Sequence, residues 1–154
     1  MNVQRRQALR AGGALGLWGM LVTAGVMSPG VAQARERAIF DTETPAEAYR
    51  ALGLDSAPQM SEQIELVAPD IAENGAVVPI GVISEVPGTE KITLLVSNNP
   101  NMAAARFAIP AGTLPEVQTR LKMSETSNVI AVVEAEGRFY MTRKEVRVTI
   151  GGCG

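Results

Sequence analysis

The chain has 154 residues, a formal net charge of −2, one cysteine and no histidine. The missing histidine excludes Ser-His and Cys-His nucleophile activation, imidazole ligation of a metal and cupredoxin-type electron transfer. The single cysteine excludes an internal disulfide, a Cys-rich zinc site and a C-x-x-C redox pair. These absences argue against a conventional enzyme, and no metal or cofactor is expected.

The first 34 residues have the composition of a cleavable export signal. Arg5 and Arg6 lie in a basic head without acidic residues, and an uncharged, largely apolar stretch leads to an A-x-A site ending at Ala34. The adjacent arginines predict twin-arginine export of a folded protein, although Ala8 stands where that pattern usually has phenylalanine. We therefore expect cleavage after Ala34, no membrane anchor and a periplasmic product.

The mature chain, residues 35–154, has the size of one small domain. The signal holds three of the 14 basic residues and none of the 16 acidic ones, so its removal leaves a net charge of −5. This sign argues against nucleic acid or an anionic membrane as a partner.

The first predicted element of the mature chain is a short helix over Asp41–Arg50. Thr44 and Glu47 have the spacing of a capping box, and Pro45 stands at the first helical position. Gly53 offers a stop.

From Gln63 onwards, short β-type runs alternate with turn residues. Glu73–Ala76 contains Asn-Gly, which readily takes positive φ in a turn, and Pro79 suggests an edge or a bulge. About seven strands predict an all-β, immunoglobulin-like antiparallel sandwich with a short N-terminal helix. The predicted strands are Ile64–Val67, Val77–Glu85, Lys91–Ser97, Met102–Ile109, Val117–Met123, Val129–Glu136 and Phe139–Ile150.

Two of these runs, Ile92–Val96 and Val129–Val133, present apolar side chains to both faces of a sheet. One explanation is that the N-terminal helix or a loop covers the outer face. The other is that a partner subunit packs there. The sequence leaves both open.

The last strand shows a clear alternation. Val146, Val148 and Ile150 alternate with polar residues, which predicts one buried and one solvated face. The pattern predicts that the domain, residues 35–150, is anchored up to Ile150.

Beyond this strand the chain reads Gly151-Gly152-Cys153-Gly154. Four residues at 3.3–3.6 Å each make a thin, flexible arm of about 13 Å. A thiolate is a strong nucleophile and forms sulfur–sulfur bonds. We therefore predict that Gly151, Gly152 and Gly154 present Cys153 to the pocket of a separate enzyme. The alternative is a frayed terminus with an incidental cysteine.

Three cations, Arg143, Lys144 and Arg147, lie just upstream of the arm. They either favour a thiolate or an anionic adduct at Cys153, or belong to a solvated strand face.

Several segments resemble the SoxY family, the sulfur-compound-binding subunits of the bacterial thiosulfate-oxidising (Sox) system. The twin-arginine signal, the stretch Ile64–Ile80 and the tail Lys144–Gly154 carry the resemblance, and Asn99–Asn101 and Thr119–Ser127 also look like the family. One departure is the tail, which ends in one glycine after the cysteine where the family usually has two.

The resemblance implies a carrier cycle with Cys153 as the covalent attachment point. A SoxXA-type cytochrome would couple thiosulfate to the thiol, and a SoxB-type hydrolase would release sulfate from the adduct. A sulfane dehydrogenase, where present, would oxidise the remaining sulfur. The resemblance further implies a heterodimer with a small immunoglobulin-like SoxZ subunit, exported with the carrier as a folded complex. It thereby favours the partner-subunit explanation for the doubly apolar strands.

Two alternatives belong to other classes of protein. An immunoglobulin-like interaction or assembly module with an incidental cysteine would not need Cys153. A ubiquitin-like carrier with a C-terminal thiocarboxylate would need ATP-dependent adenylation, which does not suit an exported protein that ends in Cys-Gly.

Overall fold

The computed structural model describes residues 37–151, which begin with helical turns and continue as strands. A 3₁₀ turn, Ile39–Asp41, precedes the helix Pro45–Ala51 (α1). None of the helices among these described residues is long and apolar enough to cross a membrane.

The capping residues predicted from the sequence define α1. The Thr44 hydroxyl accepts from the Glu47 N–H at 3.3 Å, and the Glu47 carboxylate accepts from the Thr44 N–H at 3.3 Å. The predicted start at Asp41 is wrong, because Thr42 and Thr44 have extended backbone angles. At the other end Gly53 has φ +88°, which lets the Leu54 N–H reach the Tyr49 carbonyl at 2.9 Å.

The strands of residues 37–151 form two packed sheets, which confirms the immunoglobulin-like β-sandwich. The larger sheet has the order β1-β9-β8-β5-β6, with β3 also paired to β9, and the smaller sheet has the order β2-β4-β7. The strands are β1 Gln59–Met60, β2 Ile64–Val67, β3 Ile71–Asn74, β4 Val78–Ser84, β5 Thr89–Val96, β6 Ala103–Ala108, β7 Glu116–Leu121, β8 Ser127–Ala135 and β9 Arg138–Ile150.

Two strands, β1 and β3, are absent from the sequence prediction, and both pair with β9 in parallel. The description of the sandwich as antiparallel holds for the pairing of β8 with β9 and for the other predicted strands, and it fails only for these two short pairings. These strands have two and four residues, too short for an alternating pattern to stand out. Their existence depends on β9, which is distant in sequence and supplies their hydrogen-bond partners.

The main core lies between the two sheets. β8 and β5 direct Val129, Val133 and Ile92 into it, and β4 directs Val78 and Val82 from the opposite sheet; all five are buried. The alternation of buried and exposed residues along β4 is the period of two expected for a sheet with one buried face.

A second apolar cluster lies on the outer face of the larger sheet. Leu95 and Ile130 project from β5 and β8 to meet Ile39 and Tyr49 from the N-terminal turns. The Tyr49 hydroxyl donates to Met141 Sδ at 3.7 Å, and burial raises the pKa of Tyr49. Of the two explanations for the doubly apolar strands, cover by the N-terminal helix is therefore correct for this face.

Pro79 predicts an edge strand or a bulge, and the structure agrees with an edge only at the end of its strand. Its strand, β4, is the central strand of the smaller sheet. However, the pairing of β2 with β4 stops at Val67 opposite Gly81, while β7 continues to Leu121 opposite Val78. Pro79 therefore lies beyond the end of β2, where β4 has a neighbour on one side only, and a missing N–H is tolerated there.

Candidate functional site at the root of the C-terminal arm

The last strand carries the chain from the core to the surface. Val146 is fully buried and Val148 is half-buried, as the alternation predicts. Ile150 is 68% exposed despite its apolar side chain. The strand thus leaves the sandwich at its end, where no opposite layer formed by residues 37–151 covers the final apolar residue.

Backbone hydrogen bonds hold β9 up to its last residue. Ile150 is paired with Asn74 of β3, and its carbonyl accepts from the Gly75 N–H at 2.8 Å. The Gly75 carbonyl in turn accepts from the Met123 N–H at 2.7 Å. The anchoring predicted for Ile150 is therefore present, and it comes from backbone groups rather than from burial of the side chain.

The predicted Asn-Gly turn is present, but its geometry differs from the expected one. Neither Asn74 nor Gly75 has a positive φ. Instead the Asn74 Oδ1 accepts from the Ala76 N–H at 2.9 Å, which forms an Asx turn. Gly75 is buried at this point, so the turn places its N–H and carbonyl between β9 and the chain that follows β7.

A second loop meets the arm at Gly151. A Cβ atom built on Gly151 would overlap the carbonyl oxygen of Ser124. Every residue other than glycine would have to displace one of the two backbones. The sequence assigns Gly151 to the flexible arm; in the structure Gly151 is exposed, and its Cα lies close to the Ser124 carbonyl on one side. We define Ile150, Gly151, the Asn74-Gly75 turn and the Lys122–Ser124 segment as the root of the arm.

The cations upstream of the arm have different surroundings. The Lys144 Nζ lies 2.9 Å from the Asp70 carboxylate and donates to the Ala68 carbonyl at 2.5 Å. This hydrogen bond and the positive charge of Lys144 lower the pKa of Asp70. Arg143 and Arg147 are exposed. Lys144 therefore stabilises the loop before β3. The exposure of both arginines agrees with a solvated strand face, and their effect on Cys153 stays a prediction because Cys153 lies outside the described residues.

The remaining predicted site residues lie outside the described residues. They are Gly152, Cys153 and Gly154 of the arm, Arg5 and Arg6 of the signal, and the cleavage site after Ala34. Cys153 follows Gly151 by two residues, so covalent geometry keeps its Cα within about 7 Å of Gly151. Within residues 37–151, no group of three acidic residues has the spacing of a metal site.

Comparison with known proteins decides the family. A family model described as "Sulfur oxidation protein SoxY" matches residues 49–153, which run from α1 to the cysteine. The chain belongs to the SoxY family. A solved structure, the sulfur carrier protein SoxY from Chlorobium limicola f thiosulfatophilum, is 39% identical, with a TM-score of 0.58. The match covers 66% of this chain and 93% of that one. No curated protein matches the chain.

Membership in the SoxY family confirms the resemblance seen in the sequence and supports a carrier role in sulfur oxidation. The structure adds a spatial observation. The described segments that carry the resemblance converge on the root of the arm through Gly75, Asn99, Ser124 and Ile150. They belong to Ile64–Ile80, Asn99–Asn101, Thr119–Ser127 and the part of Lys144–Gly154 that ends at Gly151.

Sequence reasoning missed the role of one residue at this site. The Asn99 side chain reaches the Lys122–Ser124 segment. The run Asn98-Asn99-Pro100-Asn101 signals a turn and contains no sign of the distant loop that it contacts.

Proposed function

We propose that this SoxY-family chain is a covalent carrier of sulfur intermediates in thiosulfate oxidation, with Cys153 as the attachment point. One observation carries the proposal: the family match extends to residue 153, and backbone hydrogen bonds hold β9 up to Ile150, three residues before the only cysteine of the chain. A rigid domain that ends beside a single thiol is suited to presenting that thiol to other proteins.

The first step of the proposed cycle is oxidative. The Cys153 thiol and thiosulfate form a sulfur–sulfur bond, one proton leaves, and two electrons pass to a SoxXA-type cytochrome. The product is cysteine-S-thiosulfonate. A SoxB-type hydrolase then adds water across the bond between the sulfane and sulfonate sulfurs, which releases sulfate and a proton and leaves a persulfide on Cys153. In this scheme the chain is a substrate and not an enzyme.

Intact mass spectrometry of the protein from thiosulfate-grown cells tests this proposal. We expect additions of one sulfur or one thiosulfate that map to Cys153 and disappear with reductant. Cys153→Ser should carry no adduct and should abolish thiosulfate-dependent respiration. If Cys153→Ser supports respiration at the normal rate, the carrier proposal is wrong and the interaction-module alternative gains support.

A matched variant separates the position of the thiol from its presence. Leu114 is 81% exposed and lies in the loop before β7. Cys153→Ser combined with Leu114→Cys restores one exposed thiol away from the arm. We expect this double variant to react with small thiol reagents and still fail in respiration.

The proposal includes export to the periplasm by the twin-arginine pathway, with cleavage after Ala34. Replacing Arg5 and Arg6 with lysine keeps the charge of the signal and removes the arginine pair. We expect the precursor to accumulate in the cytoplasm, as measured by fractionation and by the N-terminal sequence of the product. Periplasmic, processed protein from this variant would contradict the export route.

The proposed heterodimer with a SoxZ-type subunit needs an uncovered apolar surface. The outer face of the smaller sheet supplies one, since Val67 is 52% exposed and Ile83 is 36% exposed. Val67 lies over Gly81, with its Cβ 3.4 Å from where a Gly81 side chain would begin. A groove of about 750 Å³ runs along this face and is flanked by Gln118 and Arg120. The partner subunit is proposed to pack here.

Charge substitutions test this surface. Val67→Asp and Ile83→Asp place a carboxylate in the apolar groove, and we expect them to dissociate the co-expressed complex in sedimentation experiments. Leu114→Asp is the control, because Leu114 is exposed but lies outside the groove. If both groove variants still form a stable heterodimer, the interface lies on another face of the domain.

A further inference from the structure

The Asn99 side chain bridges two backbone groups of the Lys122–Ser124 segment. Its Nδ2 donates to the Lys122 carbonyl at 2.7 Å, and its Oδ1 accepts from the Ser124 N–H at 3.0 Å. Met123, which lies between Lys122 and Ser124, is fully buried, and its N–H donates to the Gly75 carbonyl. Three consecutive residues are therefore fixed, two by Asn99 and one by the core and the Gly75 turn.

This fixed segment forms the surface against which the chain leaves the domain. The Ser124 carbonyl occupies the space that a side chain at residue 151 would need. One residue earlier, the Gly75 N–H donates to the Ile150 carbonyl at 2.8 Å. Two backbone groups therefore contact the chain at Ile150 and Gly151, and the segment that carries one of them depends on Asn99 for its position.

We infer that Asn99 and Gly151 are positioning residues that set the direction in which the C-terminal arm leaves the domain. The inference rests on the proposed function only in that the arm carries the reactive cysteine. Two residues span at most about 7 Å, so a change of direction at Gly151 displaces Cys153 by several ångströms. A displacement of that size is large compared with the tolerance of a catalytic site.

The inference gives Gly151 and Gly152 different roles. Gly151 must be glycine because of the Ser124 carbonyl, whereas Gly152 lies outside the described residues and the inference assigns it no positioning role. It also separates Asn99 from its neighbour. Asn98 donates to the Thr126 carbonyl at 2.9 Å, so it supports the same loop without touching the segment beside Gly151.

A nitroxide label on Cys153 tests the inference without any partner enzyme, because the chain has only one cysteine. The label broadens the NMR signals of nearby backbone amides. We expect Gly151→Ala and Asn99→Ala to redistribute the broadening between the Gly75 turn and the Ser124 loop. Gly152→Ala and Asn98→Ala, the matched controls, should keep the wild-type pattern.

Two outcomes would overturn the inference. If all four variants keep the wild-type pattern, the root does not direct the arm. If Gly151→Ala and Gly152→Ala change it equally, the glycines act through flexibility alone. Destabilisation of the fold by Asn99→Ala would appear as a lower Tm. In that case Gly151→Ala decides whether the root directs the arm, because residue 151 lies beyond the last strand and its substitution leaves the strand pairing intact.

A kinetic comparison links direction to function. Small alkylating reagents approach the thiol from any side, so Gly151→Ala should alkylate at the wild-type rate. Loading of sulfur by a partner enzyme needs a defined direction, and its kcat/KM should fall roughly tenfold to a hundredfold. Unchanged enzymatic loading would count against the inference. Absence of any sulfur adduct on wild-type protein would count against the proposed function and leave the NMR result intact.

Discussion

The N-terminal cover of the larger sheet and the root of the arm are held by different forces. Under the cover, Ile39 and Leu95 are fully buried and Tyr49 is nearly so. At the root, the last apolar residue, Ile150, is mostly exposed, and backbone hydrogen bonds with Gly75 hold it. A buried position under the cover accepts any apolar side chain of suitable size. The root instead needs particular groups: the amide of Asn99, which makes two directed hydrogen bonds, and a residue without a side chain at position 151.

The largest expected effect is on the buried side of this comparison. Leu95→Ala removes a fully buried side chain from the cluster under α1, and we expect the free energy of unfolding to fall by about 2–5 kcal/mol. Denaturant unfolding measures it. Leu114→Ala, at an 81% exposed position, should change it by less than about 0.5 kcal/mol. A small effect of Leu95→Ala would mean that the cover is loosely packed.

Two substitutions in β9 compare, within one strand, a residue held by side-chain burial with one held by backbone hydrogen bonds. Val146→Ala should cost about 2 kcal/mol, because its side chain is fully buried. Ile150→Ala should cost less than about 0.5 kcal/mol, since its side chain is 68% exposed and its backbone bonds remain. Both are measured by denaturant unfolding. Equal costs would show that Ile150 is buried by contacts beyond residues 37–151.

The capping box of α1 gives a smaller effect. Thr44→Ala leaves the Glu47 N–H without its side-chain acceptor, and we expect a loss of about 1 kcal/mol in thermal or denaturant unfolding. Thr44→Ser keeps the hydroxyl and is expected to recover most of the loss. If serine and alanine are equally destabilising, the methyl group of Thr44 matters more than the cap.

The smallest effect concerns the ion pair between Asp70 and Lys144. Because the pKa of Asp70 is lowered in the folded state, the pair stabilises the fold above the unfolded pKa of about 4. That stability is lost as the pH falls through the lower, folded pKa. Asp70→Asn should therefore reduce the acid dependence of unfolding below about pH 4, with little change in the slope at neutral pH.

The control for this prediction is Asp55→Asn. Asp55 is exposed, and no ion pair involves it among residues 37–151. Its substitution should leave the acid limb as in the wild type. Identical acid limbs for Asp70→Asn and Asp55→Asn would show that the pair is screened by solvent.

Most of the fold was predictable because its signals are local. The seven runs from Ile64–Val67 to Phe139–Ile150 became β2 and β4–β9 with ends shifted by at most two residues. The Thr44–Glu47 box and Gly53 mark the boundaries of α1 because the residues that make these contacts are neighbours in sequence. By contrast, β1 and β3 are strands only through pairing with β9.

The sequence predicts the chemistry of the candidate site but not its geometry. A single cysteine among glycines indicates a presented thiol from composition alone, and that residue stays a prediction because it lies outside the described residues. The contacts of Asn99 with Lys122 and Ser124 join residues 23 and 25 positions apart. A turn pattern carries no information about such a partner.

The sequence by itself determined the class of fold and the family resemblance, and it predicts an export signal and thiol chemistry at Cys153. Each depends on residue type and short-range spacing, which can be read directly. Only the tertiary structure decided that α1 covers the outer face of β5 and β8, and that the exposed Gly151 lies against the Ser124 carbonyl. Both facts depend on which distant backbones come within van der Waals contact, and the packing of the two sheets determines those distances.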